Sequence, residues 1–380
     1  MTSLHLLRDA TRRCPKRMVY GPCGGVSADG GCEVPGIRCS FAEDPVLLRE
    51  LDFSAADIQT PDTAHASGDA LPPSPRRAAA AALGDLVATA PVITADLPVR
   101  TVDPAVVADA GARLGAMTAL TAVIAGEPPG LRESLSPTHK ALLLVAAGAR
   151  VISGITCRDR NRVAIEGELA ALADLGVSGI LAVTGDHPAT TALRDADPVF
   201  DLDSTRVAAL ARRAGLFVAV AEQPSAPPVD YRPKRLALKA RAGAELGILN
   251  LCGDIADIAR FTSALATTAA PVPVLVSVPV LTSASSARRL ASLPGVNLPP
   301  SIVAAALAAP TDPGAGIRAA VDWAGRALGL PGVVGVHLSA VVDDEDASGI
   351  AAVDALAAAA TAIRDTLRPR TAVLAAPEER

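Results

Sequence analysis

The chain has 380 residues, of which 50% are hydrophobic and 2% are aromatic, and its formal net charge is −5 at pH 7. This length suits one large α/β domain with a small one, or two medium domains. Nucleic acid is not an expected partner, because single-strand binding needs aromatic side chains beside basic ones. The sequence contains no apolar run of about 18 residues and no signal-peptide core. We therefore expect a soluble, cytoplasmic protein without a membrane partner.

Four of the six cysteines lie near the N-terminus, at Cys14, Cys23, Cys32 and Cys39. The intervals between them exceed those of paired Cys-x-x-Cys zinc ribbons, but the surrounding glycines let a backbone wrap closely around a small centre. Two disulfides are the alternative, which the lack of an export signal disfavours. We predict a cysteine-rich metal-binding domain over residues 1–54, holding zinc or a [4Fe–4S] cluster. Cys157 and Cys252 are predicted to be packing residues.

The composition shifts after this domain to proline, alanine, serine, aspartate and threonine, and apolar periodicity is lost. We predict an exposed linker over residues 55–85, stiffened in part by Pro72, Pro73 and Pro75. A flexible tail is predicted for residues 369–380.

Short apolar runs then alternate with alanine-rich helical segments. The predicted strands are Val92–Leu97, Ala116–Ile124, Val151–Thr156, Gly179–Val183, Phe217–Ala221, Gly247–Leu251, Pro273–Val280 and Val333–Leu338. Eight βα units over about 280 residues match a TIM barrel, whose active site lies at the carboxyl ends of the strands. We predict an α/β fold with a (β/α)8 TIM barrel over residues 86–368. A doubly wound open sheet is the alternative, but no Gly-x-Gly-x-x-Gly follows the first strand.

Several predicted helices carry capping signals. Ser136 precedes a proline at the first turn of one helix. Asn161 caps a second helix, which Gly176 ends. Pro233 opens a third helix, which stops near Gly243.

Polar side chains recur at the ends of the predicted strands. They are Asp96, the run Cys157–Asn161, the run Thr184–His187, Glu222 with Gln223, the run Asn250–Asp254, and His337. In a barrel these positions converge on one mouth, so they are candidates for a functional site. Of Asp96 and Asp186, one could act as a general acid while the other adjusts the electrostatic environment of the site. His337 is either a ligand-binding residue or a hydrogen-bonded histidine of the barrel wall.

Three arginines, Arg158, Arg160 and Arg162, follow the third predicted strand and precede a helix. A phosphate group is recognised by such charges together with a helix N-terminus. A solvated basic turn is the alternative interpretation.

The order of several motifs resembles that of methylenetetrahydrofolate reductases. These motifs are Ile155–Arg162, Leu181–Asp186, Val199–Ser204, Lys239–Ala244, Leu293–Val296 and Gly335–His337. The cysteine pattern is similar to the cysteine-rich domain called the methylenetetrahydrofolate reductase C-terminal domain. The first resemblance covers roughly residues 90–365 and the second roughly residues 5–53.

This resemblance implies a flavin-dependent reduction of 5,10-methylenetetrahydrofolate, or a close C1-carrier relative, to the methyl form by hydride transfer from reduced FAD N5. It implies NAD(P)H or a ferredoxin-type protein as electron donor. Asp96 matches the general acid, Asp186 the aspartate beside pterin and flavin, and Asn250 the amide that holds the folate. Lys239 matches a lysine at the FAD phosphates. The positions that match the flavin site are Thr156, Asn161, Thr184, Gly185 and Phe200.

Two of these positions depart from the family pattern. Asp96 replaces a glutamate and Asn250 replaces a glutamine, so each side chain is shorter by one C–C bond of about 1.5 Å. Misplacement of this size can lower a rate on the order of 100-fold. The alternative function is therefore a weakened or non-catalytic barrel whose cysteine module docks another one-carbon or redox protein. The oligomeric state is left open, a homo-oligomer included.

Overall fold

The computed structural model describes residues 3–43, 48, 74–127, 132–293, 295–341 and 348–373. Eight parallel strands form a closed barrel in which each strand pairs with its neighbours in sequence and the eighth closes on the first. The strands are β1 (Val92–Asp96), β2 (Ala122–Ala125), β3 (Val151–Thr156), β4 (Gly179–Val183), β5 (Phe217–Glu222), β6 (Leu246–Leu249), β7 (Val274–Pro279) and β8 (Val333–Ser339). The predicted TIM barrel is thus confirmed.

The second strand differs from its prediction. It was expected over Ala116–Ile124, but residues 116–121 form the turn that follows a helix, and the strand begins only at Ala122. The apolar composition of this turn misled the prediction, because Ala119 and Leu120 pack in or against the core although they belong to no strand. The other seven strands begin and end within two residues of their predicted bounds.

Helices surround the barrel. In the described ranges they are α1 (Ser3–Arg13), α2 (Ala78–Thr89), α3 (Pro104–Gly115), α4 (Pro137–Ala146), α5 (Arg162–Leu175), α6 (Ser204–Arg213), α7 (Arg232–Arg241), α8 (Ile255–Ala266), α9 (Ala284–Ala291), α10 (Pro300–Ala308), α11 (Ala315–Leu328) and α12 (Ile350–Val373). The predicted caps are present: Ser136 caps α4, Asn161 caps α5, and Gly176 ends α5 with a positive φ of 78°. Among these helices, none combines the length and apolar character that a bilayer crossing requires.

Helix α2 closes the amino end of the barrel. Its Ala80, Leu83 and Val87 are buried against residues at the starts of the strands, Phe217 among them. Residues 78–85, which were placed in the predicted linker, form most of this helix, because alanine favours helix and three apolar side chains gain burial here. Residues 49–54 of the predicted cysteine-rich domain, residues 55–73 of the predicted linker and residues 374–380 of the predicted tail lie outside the described residues. Helix α12 extends into the predicted tail as far as Val373.

The N-terminal segment, residues 3–43, packs on the carboxyl side of the barrel. Leu7, Met18 and Phe41 form a small apolar cluster with Tyr231 and Leu238 of the barrel. The Tyr231 hydroxyl donates a hydrogen bond to the backbone oxygen of Tyr20 over 3.1 Å. The segment therefore lies beside the strand ends where the sequence predicted a site.

Candidate active site at the barrel mouth

A cavity of about 260 Å³ lies between the carboxyl ends of β2–β6 and the N-terminal segment. The barrel contributes Glu127, Thr156, Arg158, Val183, Thr184, Gly185, Asp186, Ser204, Ala221, Glu222, Gln223, Arg235, Lys239 and Asn250 to its lining. The segment contributes Lys16, Pro22, Cys23, Gly24, Gly25 and Glu33. Five of the predicted flavin and folate residues are therefore brought together with Asp186, namely Thr156, Thr184, Gly185, Lys239 and Asn250.

Asp186 lines this cavity and lies in the turn of residues 185–187, which follows β4. The turn needs a glycine, because Gly185 has a φ of 86°. Burial raises the pKa of Asp186, the positive charges of Lys16 and Arg158 lower it, and Glu33 raises it further. No hydrogen-bond donor to the Asp186 carboxylate occurs in the part of the chain that the structure describes, so this carboxylate is free to accept one from a ligand.

Lys16 and Glu33 enter the mouth from the N-terminal segment. The Lys16 ammonium lies 2.7 Å from a Glu33 carboxylate oxygen and donates a second hydrogen bond over 2.7 Å to the backbone oxygen of Gly185. The other Glu33 oxygen accepts the backbone N–H of His187 over 2.6 Å. Burial alone would lower the pKa of Lys16, but the negative charges of Cys23, Glu33 and Asp186 raise it. We call this arrangement the Lys16–Glu33 clamp.

Glu127, which follows β2, organises the β3 side of the mouth. One of its oxygens accepts hydrogen bonds from the backbone N–H and the hydroxyl of Thr156, over 3.1 and 2.8 Å. Arg160 binds both Glu127 oxygens, so its charge is already neutralised. Arg162 pairs with Glu166 on the surface of α5. Arg158 contacts the Asp159 carboxylate over 3.2 Å. All three arginines considered for a phosphate site thus have carboxylate partners.

Three buried polar atoms at the cavity have no protein partner among the described residues: Arg158 Nε, Gln223 Oε1 and Arg235 Nε. Gln223 cannot be turned over, since its amide nitrogen already donates to the backbone oxygens of Leu251 and Gly295. An unsatisfied buried polar group costs about 1–3 kcal/mol. A ligand offering both acceptors and donors would satisfy all three atoms.

Lys239 is held inside the barrel mouth. Its ammonium donates over 2.9 Å to the Glu222 carboxylate and over 2.5 Å to the backbone oxygen of Ala221. Glu222 also contacts Arg232 over 3.3 Å. Burial alone would raise the pKa of Glu222, but the charges of Lys239, Arg232 and Arg235 lower it, so this side chain is a carboxylate.

Three of the predicted flavin residues, Asn161, Phe200 and the cavity residue Thr184, have structural partners. Asn161 is exposed and accepts the backbone N–H of Ala164 at the start of α5. The Thr184 hydroxyl donates to Ser204 over 3.3 Å. Phe200 is buried with a positive φ of 39°, and its ring stacks on His187 at a centroid distance of 5.9 Å. Asn161 and Phe200 do not line the cavity.

Asp96 lies on the opposite side of the mouth, at the end of β1, and does not line the cavity that holds Asp186. Its carboxylate is 3.2 Å from His337 Nε2, and His337 Nδ1 is 3.0 Å from the Thr94 hydroxyl. His337 is therefore a buried, hydrogen-bonded histidine of the barrel wall that contacts a candidate acid. Its two ring nitrogens connect Thr94 to Asp96 in one chain of polar contacts.

The N-terminal cysteines are partly buried, and all six cysteines of the chain are free, so the disulfide alternative is not found. Burial raises the pKa of Cys14 to about 12, and the pKa values of Cys32 and Cys39 are raised for the same reason. The charge of Cys23 adds to the effect on each of them. Across the described ranges, no group of three or more His, Cys, Asp or Glu side chains is arranged to hold a metal ion. Cys157 and Cys252 are buried, as expected of packing residues.

Comparisons with known proteins agree with the two resemblances. Residues 107–352 match the family described as methylenetetrahydrofolate reductase, and residues 9–54 match the family described as methylene-tetrahydrofolate reductase C terminal. No protein of curated function matches the chain.

Solved structures were also found that resemble this chain. A Clostridium thermocellum protein, described as uncharacterized and as binding two copies of 5-methyl-5,6,7,8-tetrahydrofolic acid, superposes with a TM-score of 0.53 at 12% identity, covering 75% of this chain and 99% of that one. An oxaloacetate acetylhydrolase aligns with a TM-score of 0.44 at 12% identity, covering 79% and 90% of the two chains. At 12% identity, the likeness to the Clostridium thermocellum protein shows the fold alone.

Proposed function

This chain belongs to the methylenetetrahydrofolate reductase family, and we propose that it binds a reduced folate at the barrel mouth and reduces its 5,10-methylene group to the methyl form. The observation that carries the proposal is the free Asp186 carboxylate in a cavity with three unsatisfied polar atoms. A pterin ring carries N–H donors and a carbonyl acceptor on one edge. The barrel-sharing protein from Clostridium thermocellum, which binds methyltetrahydrofolate, supports the substrate class.

In this proposal, side chains that follow three strands form hydrogen bonds with the edge of the pterin ring. Asp186 and the Gln223 oxygen accept its N–H groups, and Arg158 Nε donates to its carbonyl. Asn250, which also lines the cavity, is the second amide of the site. Gln223 thereby offsets the shorter reach of Asn250, because it supplies a buried amide oxygen in the same cavity.

The reduction adds one hydride to the methylene carbon and one proton to the nitrogen that leaves it as the imidazolidine ring opens. FAD, when bound, supplies the hydride, and NAD(P)H or a ferredoxin-type protein renews it. The proton comes from Asp96, which His337 orients through the 3.2 Å contact.

The site fits the flavin ring of FAD better than it fits the phosphates. The polar lining suits the edge of one flat ring, but the cavity of about 260 Å³ is smaller than the roughly 300–1,000 Å³ of sites for drug-sized ligands. The Lys239 ammonium, predicted to contact the phosphates, is bound to Glu222. The cavity, as the N-terminal segment bounds it, is therefore smaller than flavin and folate together require. An FAD titration followed by flavin fluorescence tests this part separately, since failure to take up FAD would exclude flavin dependence and leave folate binding open.

We expect Asp186→Asn to weaken binding of 5-methyltetrahydrofolate about 10- to 100-fold, because a hydrogen bond to a charged group contributes about 1.5–3 kcal/mol. Isothermal titration calorimetry measures the change. Asp195→Asn is the matched control, because Asp195 follows in the same connection but is exposed and pairs with Arg132. If the wild type does not bind this folate, or if both variants bind equally well, the proposed site is wrong.

A second candidate is a non-catalytic folate-binding barrel that, with its cysteine module, docks another one-carbon or redox protein. Two observations favour it: Asp96 lies outside the cavity of Asp186, and the Lys16–Glu33 clamp of the N-terminal segment occupies part of the cavity wall. This candidate predicts binding of 5-methyltetrahydrofolate without turnover in either direction, whether electrons come from NAD(P)H with FAD or from reduced ferredoxin. Formation of methyltetrahydrofolate by purified protein excludes it.

We also propose that the four N-terminal cysteines bind zinc or a [4Fe–4S] cluster. Four free thiols that influence one another through Cys23 provide the donor set that both centres use. Their side chains must turn toward one another to enclose an ion, because no metal-binding arrangement occurs in the described residues. Zinc would make the centre structural, whereas a cluster would let it pass electrons.

Anaerobically purified protein is expected to contain one zinc ion, or four irons with the visible absorption of a cluster, for each chain. Cys32→Ser should lose most of this metal, because it removes one of four ligands. Cys252→Ser is the control, since Cys252 is a buried cysteine of the barrel domain and not one of the four N-terminal cysteines. Elemental analysis that finds neither metal in the wild type would reject a metal centre.

A further inference from the structure

We propose that Lys16 and Glu33 are positioning residues of the barrel site, which fix the turn of residues 185–187 and so make the N-terminal segment an integral part of the folate site. This inference rests on the proposed function for its ligand. The inference goes beyond the proposed function because it assigns a role in the barrel site to two side chains that lie outside the barrel.

The geometry of the clamp encloses Asp186 on both sides. Lys16 binds the backbone oxygen of Gly185, Glu33 binds the backbone N–H of His187, and the two side chains bind each other. The residue between the two bound backbone groups is Asp186. Any displacement of the clamp therefore changes the position of this carboxylate.

Burial distinguishes the clamp from ordinary surface ion pairs. The side chains of Lys16 and Glu33 are 4% and 1% exposed, whereas Arg13 and Glu43 of the same segment are 50% and 39% exposed. A buried charge that loses its partner is strongly unfavourable, while an exposed pair contributes little. The clamp therefore holds the segment and the turn in one arrangement.

The position of the clamp in the sequence connects it to the cysteines. Lys16 lies two residues after Cys14, and Glu33 follows Cys32 directly. The backbone path that places these cysteines also places the two clamp side chains. Two hydrogen bonds, from Lys16 to the Gly185 oxygen and from the His187 N–H to Glu33, thus connect the segment to the barrel turn.

The two clamp residues act on Asp186 with opposite sign. The charge of Lys16 lowers the pKa of Asp186 and that of Glu33 raises it, while Arg158 also lowers it and burial raises it most. Removing Lys16 should therefore make Asp186 harder to ionise, and removing Glu33 should make it easier. Loss of structure alone would affect both variants in the same direction.

The test is the pH dependence of 5-methyltetrahydrofolate affinity in full-length protein. Affinity should fall as pH decreases and Asp186 becomes protonated, because a carboxylate is the better acceptor of the pterin N–H groups. We expect the midpoint of this fall to shift to higher pH in Lys16→Met and to lower pH in Glu33→Gln. Lys16→Arg, which keeps the charge, and Glu43→Gln, which removes an exposed carboxylate, should keep the wild-type midpoint. Equal midpoints, or shifts of the same sign, would overturn the inference.

A ligand-free measurement separates this inference from the proposed function. Hydrogen exchange of the peptide covering residues 183–190 should become faster in Glu33→Ala than in the wild type, because the His187 N–H loses its acceptor, and should be unchanged in Glu43→Ala. Exchange equal to the wild type in Glu33→Ala refutes the clamp even if folate binds. Faster exchange in a protein that binds no folate retains the clamp and refutes only the proposed ligand.

Discussion

Asp96→Asn should reduce the turnover of 5,10-methylenetetrahydrofolate by about 10²- to 10⁴-fold, the usual contribution of a general acid. The asparagine keeps the size of the side chain and the contact to His337 but has no proton to donate. Affinity for 5-methyltetrahydrofolate should remain close to wild type, because Asp96 does not line the cavity of Asp186. The loss should therefore fall on kcat and not on KM, which steady-state assays with a suitable electron donor resolve.

Asp96→Glu is the informative companion of this variant. It restores the longer acid that the family resemblance led us to expect, so its turnover should equal or exceed that of the wild type. Asp109→Asn controls for the substitution itself, because Asp109 is an exposed partner of Arg113 on α3. Wild-type turnover in Asp96→Asn would remove Asp96 from the mechanism and leave the acid unassigned.

The barrel was predictable because its signals are local. Strand β3 and helix α5 have the predicted bounds, since their signals are local. The strand is a short run rich in β-branched residues, and the helix has an N-terminal cap at Asn161 and a C-terminal glycine at Gly176. The apolar turn before β2 was misread, because composition alone cannot distinguish a buried turn from a buried strand. The helical part of the predicted linker was missed for a similar reason. Its stability comes from packing against the barrel end, where Leu83 is fully buried.

The site was predictable where the barrel itself positions it. Strand ends meet at one mouth, which is why Asp186, Thr184 and Thr156 lie together. Glu127 lies two residues beyond the end of β2 and could have been found by the same rule, because the end of that strand was predicted within one residue. The Lys16–Glu33 clamp had no comparable signal. Its contacts to the turn after β4 join residues more than 150 positions apart, and no periodicity encodes such a pairing.

The side chains that surround Lys239 also could not be predicted from sequence patterns. A family motif marks the lysine on α7, but its charge is bound by Glu222, which lies at the end of β5 and whose role depends on the barrel geometry. Whether Lys239 also contacts FAD phosphates stays a prediction. What the structure does indicate is that this ion pair is a major structural interaction of the mouth.

We expect Glu222→Leu to destabilise the protein by about 3–5 kcal/mol, because it leaves the buried charges of Lys239 and Arg232 without their carboxylate. The double variant Glu222→Leu with Lys239→Met should recover part of this loss, since a buried ion pair replaced by apolar side chains of similar size is often tolerated. Glu166→Leu is the control, because its pair with Arg162 is exposed and should change the free energy of unfolding by about 0–1 kcal/mol. Urea unfolding at neutral pH measures all three.

The effect of Glu222→Leu should also depend on pH. The pKa of Glu222 is lowered in the folded protein from its ordinary value of 4.5. The carboxylate therefore contributes its full stabilisation above about pH 4.5 and loses it as the pH falls through the lower, folded value. The difference in unfolding free energy between wild type and variant should be constant near neutral pH and shrink only in acid. A difference that shrinks already at neutral pH, or an unfolding free energy unchanged by the substitution, would contradict a charged Glu222 at the centre of this network.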